Sequence, residues 1–147
     1  MSLGESLAPF LGRLVFAWFF LVQAYRYALD WNGTALLLTM KHVPTPPVTL
    51  LIAIVGVLLG SLSLLLGFCT RAGALALFAI TIAATVTMHD YWHVQALQAR
   101  VADFDIFARN VAIAGGLLFL IGMGSGRFAL DNKGPPPQAA GNKSAKH

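Results

Sequence analysis

The sequence predicts an all-α membrane protein, an antiparallel four-transmembrane-helix bundle with a short interfacial segment in its first external loop. Three observations carry this. Of 147 residues, 57% are apolar and only 11% charged, against roughly 45 to 50% and roughly 25% in soluble domains. The apolar residues come in blocks of about 20, the length a helix needs to cross the hydrocarbon core, rather than in the rhythm of a soluble amphipathic helix. Three of these blocks also carry small residues at helical spacing, which lets backbones approach where lipid gives helices no hydrophobic reason to associate.

The first span is expected over Phe10 to Ala28. Arg13 before a short apolar stretch imitates a signal peptide, but no small-residue cleavage site follows Val22, so a retained signal-anchor helix is predicted. The connection "DWNGTALLLTMKHVPTPP" is punctuated by Gly33 and by Pro44, Pro46 and Pro47 and cannot cross a bilayer. Its apolar run Ala35 to Met40 is the interfacial segment.

The second span, Val48 to Phe68, carries Gly56 and Gly60 in a GxxxG arrangement, then Ser63 and Gly67. A tight turn, "GFCTRAG", leads to the third span, Ala72 to Tyr91, with Ala72, Ala76, Ala79 and Ala83 as its small face. "HVQALQARVADFD" connects to the fourth, Phe104 to Met123, where Ala112, Gly115 and Gly116 are small and where Asp103 and Asp105 suit a helix N-terminus. Residues 1–131 form one membrane domain in this reading. Residues 132–147, without apolar periodicity, read as a disordered cytoplasmic tail.

Four spans put both termini and the Arg71 turn on one side, with Arg13, Arg127, Lys133, Lys143 and Lys146. The other side holds Arg26, Lys41, Arg100 and Arg109 with four of the six acids. The positive-inside rule then places the termini in the cytoplasm. The net charge of +4 is scattered over segment ends and the tail, a pattern that orients a membrane protein and forms no nucleic-acid surface. The single cysteine, Cys69, excludes an intramolecular disulfide and chemistry that needs a thiol pair.

"TVTMHDYWH", Thr85 to His93, concentrates the chemistry. Thr81, Thr85, His89 and His93 recur every four residues, a spacing that keeps neighbours on one helix face, and a polar stripe in a span points into the bundle. Tyr91 and Trp92 fit an interfacial aromatic belt. A histidine side chain can exchange protons near neutral pH, and Asp90 is expected to tune that exchange at the adjacent His89. Arg109 and Asn110 lie at the same level on the fourth span, with Gln23 as a further lining group.

Arg26 with Asp30, and Asp105 with Arg109, have the spacing of helical ion pairs. His89 and His93, with His42 in reach, make only an incomplete ligand set, so no metal site is expected. The candidate cofactor-binding residues are therefore His89, Asp90, Tyr91, Trp92, Arg109 and Asn110.

Seven stretches together resemble the DoxX family of small four-helix bacterial membrane proteins, over roughly Gly12 to Asp131. They are "GRLVFAWFF", "LDWNGT", "HVP", "LLLGFCTRAGAL", "HDYW", "FARN" and "GSGRFALD". The resemblance implies an inner-membrane protein and an association with quinone-linked redox systems, of the thiosulfate:quinone oxidoreductase or quinol oxidase kind. It departs at two positions. Val57 stands where the family commonly has a glutamate, and Tyr27 where it has a lysine three residues before the aspartate.

The expected function is thus an accessory subunit of a membrane redox system, with quinone as its cofactor. Its partners would be the bilayer and a redox protein or further copies of the chain, with no nucleic acid. The alternative is a scaffold without cofactor. A transporter or channel is less favoured, because so few polar groups within the spans outline no continuous path.

Overall fold

The computed structural model describes residues 3–124, 126 and 129. The predicted tail, residues 132–147, lies outside them, as does most of "GSGRFALD". Five α-helices follow in order: α1 (Leu3–Leu29), α2 (Trp31–Met40), α3 (Pro46–Leu66), α4 (Thr70–Met88) and, after a 3₁₀ turn at Tyr91–His93, α5 (Leu97–Met123). Four of them are long and apolar enough to cross a membrane. The four-span bundle is the one the sequence predicts. Large apolar side chains such as Trp18, Leu59 and Phe119 are about two-thirds exposed, a surface that suits lipid and that a soluble monomer avoids.

Local chemistry sets the element ends. Asp30 caps α2 by accepting the Gly33 N–H at 3.2 Å, and a Cβ on Gly33 would collide with that carboxylate, so the helix begins at Trp31 and is longer than the predicted Ala35 to Met40. α3 starts at Pro46, where proline costs no helical hydrogen bond. It stops at Gly67, whose φ of +66° is easy only for glycine. Ser63 Oγ closes the turn onto the Phe68 and Cys69 carbonyls at 2.6 and 3.1 Å.

α3 is the central helix. It packs on α1 and on α4, α4 packs on α5, and α1 and α5 barely approach each other backbone to backbone. The α3–α4 contact is close because of two glycines: a Cβ on Gly60 would lie 2.7 Å from the Leu77 side chain and 3.2 Å from the Gly73 carbonyl. Gly56 packs similarly against Ile80. On α4, however, the packing face is Gly73, Ala74, Leu77, Thr81 and Thr85, all buried, whereas the predicted Ala72, Ala76, Ala79 and Ala83 are exposed. On α5, Gly116 meets Phe16 of α1 and Gly115 meets nothing. Counting alanines did not distinguish the face that touches protein from the one that touches lipid.

Two further predictions are corrected. α4 ends at Met88, so the polar stripe stops at Thr85 as a helical feature. His89 is the C-cap, its N–H still bonded to the Thr85 carbonyl at 3.1 Å, and His93 lies beyond in the 3₁₀ turn. The chain leaves the helix there because Lys41 holds Asp90 and the Tyr91 ring packs into α5. α5 begins at Leu97, with no acid in its first turn. Asp103 and Asp105 are thus about two turns inside the helix, beyond the reach of its N-terminal dipole.

Candidate functional site

The end of the bundle that carries α2 holds every histidine and aspartate among the described residues. His89, where α4 stops, meets Asp103 of α5, with Nδ1 2.8 Å from the carboxylate and both side chains about three-quarters or more buried. That bond engages Nδ1 and leaves Nε2 as the other ring nitrogen. Asp90 is not bonded to His89. It pairs with Lys41 at the end of α2 and with His93 Nδ1 at 3.2 Å, which ties α2 to the 3₁₀ turn. Adjacent residues thus serve different partners, because the helix has ended and their side chains diverge.

Tyr91 and Trp92 pack on α5. The Tyr91 ring sits edge-on to Phe104 and Phe107, each 5.2 Å away between centroids, and to Trp92 at 5.1 Å. They form an aromatic wedge that supports the turn from which His89 and Asp90 project.

His89 and Arg109 come together. Both line a polar cavity of about 420 Å³ in the seam between α1 and α5, together with Gln23, Arg26, Tyr27 and Asp30 of α1 and its end, and Thr34 of α2. The seam is open because α1 and α5 are held apart, with Trp18 and Phe19 among the walls. Asn110 is half-buried on α5 and does not line this cavity. Among the described residues neither Arg26 nor Arg109 is ion-paired: Asp30 is engaged as the α2 cap, and no bond joins Arg109 to Asp105. Two guanidiniums, an amide and a histidine therefore face one cavity, a donor-rich surface for a ligand carrying oxygen acceptors.

Arg26, Tyr27, Asp30, Thr34 and Asp103 were not among the predicted site residues. A sequence signal existed for the first group: Gln23, Arg26 and Asp30 recur at i, i+3 and i+7, on one side of a helix. Asp103 had none, since its role depends on the α4–α5 packing.

A second cavity, of about 280 Å³, is almost wholly apolar and lies beneath α2 against α3 and α4, with Leu38, Leu50, Ala53, Val57, Ala84 and Met88 among its walls. Val57 and Tyr27, the two departures from the family pattern, both line it. Among the described residues, no group of three or more His, Cys, Asp or Glu side chains is placed to hold a metal.

The family model for DoxX matches residues 8–90, from α1 to the loop after α4. The inner membrane protein YphA of Escherichia coli K12 is 27% identical over 123 residues, covering 84% of this chain and 87% of YphA. No solved structure matches the chain.

Proposed function

The chain belongs to the DoxX family of integral membrane proteins, and from that premise we propose that it is an accessory subunit of a quinone-linked membrane redox system. The observation that supports this best is the His89–Asp103 pair at a cavity that Arg26, Arg109 and Gln23 also line. A bound quinone supplies two-electron, two-proton redox chemistry. The residues fit such a ring: arginine and amide N–H groups donate toward carbonyl oxygens, and Trp18 and Phe19 provide apolar flanks. Asp103 orients the His89 imidazole, which takes up or releases a proton at Nε2. Electrons pass between the quinone and a redox partner of the kind that the resemblance implies: a thiosulfate:quinone oxidoreductase delivers them to the quinone, and a quinol oxidase withdraws them from the quinol.

In this reading the chain sits in a bacterial inner membrane, as the name of its E. coli relative supports. Both termini are cytoplasmic, which the distribution of Lys and Arg supports. The test is quinone retention in protein purified from native membranes in mild detergent, measured by extraction and mass spectrometry. Near-stoichiometric quinone in the wild type and its loss in His89→Ala is the expected result; quinone absent from wild-type protein overturns the reading. A cofactor-free scaffold is the second reading. It is favoured by Val57 and Tyr27, which leave an apolar cavity where the resemblance expects an acid and a base.

A further inference from the structure

The polar and the apolar cavity share two walls, Tyr27 and Thr34. Tyr27 divides them: its hydroxyl accepts a hydrogen bond from Gln23 Nε2 at 3.5 Å, on the polar side, while the residue also lines the apolar space. Thr34 is nine-tenths buried at the start of α2. On one side of this divider stand charged and amide groups. On the other stand only apolar walls and threonines, with Leu38 and Val43 among them.

The geometry points to one amphipathic ligand that uses both cavities, a quinone whose ring occupies the polar cavity and whose isoprenoid tail runs past Tyr27 into the apolar cavity beneath α2. This rests on the quinone reading and names the class of quinone: long-tailed, membrane-dissolved molecules rather than small water-soluble ones. A tail moving from lipid into this cavity gains no hydrophobic free energy, since lipid chains are equally apolar. What it gains over a lipid chain is closer van der Waals fit to the walls, with the ring already fixed in the neighbouring polar cavity. Selectivity therefore comes from cavity shape.

The experiment uses the full chain in lipid nanodiscs and two probes with the same quinone ring, one bearing a short isoprenoid tail and the other a methyl group. Binding is titrated with both probes counted per unit of bilayer, so that partitioning into lipid does not contribute. Wild type is compared with Ala84→Phe, which fills the cavity from α4, and with Ala53→Phe, which fills it from α3 should the first variant fail to fold. The expected result is an affinity about tenfold higher for the tailed probe in wild type, abolished in the filled variant while the methyl probe binds as before. Equal affinities in wild type, or a tail advantage that survives in both folded variants, overturn the tail assignment and leave the quinone reading standing. If neither probe binds wild-type protein, both fall.

Discussion

The two ends of the bundle are built on opposite principles. At the α3–α4 turn, backbones touch: Gly60 and Gly73 leave no room for a Cβ, Gly67 reverses the chain, and Ser63 satisfies the carbonyls of the turn. Even a charge is enclosed there. Arg13 is 1% exposed, 5.7 Å from the Phe10 ring and against Gly67. At the α2 end the helices are held apart, two cavities open, and the pairs Lys41–Asp90 and His89–Asp103 each join different elements. Close backbone packing sits at one end and ligand-accessible space at the other.

The sharpest way to break this comparison is to add a side chain at the closed end. Gly60→Leu is expected to destabilise the bundle by about 3 kcal/mol, the upper part of the range for overpacking, read as a lower midpoint of unfolding in a detergent titration. Gly115→Ala is the control. Its Cβ meets nothing, so stability should be unchanged or raised by up to about 1 kcal/mol through helix propensity.

Gly67→Ala comes next, at about 2 kcal/mol, because the left-handed backbone is strained for alanine and the new methyl meets the Arg13 guanidinium and Ala129. An unfolding midpoint equal to wild type would show that the turn is less rigid than its geometry.

At the open end the effects are smaller and pairwise. A double-mutant cycle of His89→Ala with Asp103→Ala should return a coupling of about 1 kcal/mol, typical of a partly buried hydrogen bond. The same cycle between His89 and Asp90 should return none. The reverse pattern would restore Asp90 as the partner of His89. Smallest of all, Lys41→Ala should leave the unfolding midpoint nearly in place, since an ion pair at the partly exposed end of the bundle contributes little. It should, however, speed amide exchange in α2, which that pair anchors; unaltered exchange would mean that α2 is held by its apolar contacts alone.

Membrane crossing, the number of spans and the α2 interruption were all determined by the sequence, because hydrocarbon admits only backbone that satisfies its own hydrogen bonds and so requires long uninterrupted apolar helices. Turn chemistry was equally local: Gly67 after α3, Pro46 at its start and Asp30 before α2 act on residues within a few positions. His89 and Arg109 were legible as polar groups at one level of the bundle. The pairing of His89 with Asp103, the diversion of Asp90 to Lys41, the choice of Gly73 over the neighbouring alanines as a contact and the meeting of two cavities at Tyr27 were decided only by the tertiary structure. Each depends on how far α4 continues as a helix and how α5 is rotated against it, and residues distant in the chain settle those quantities through side-chain packing that no local spacing encodes.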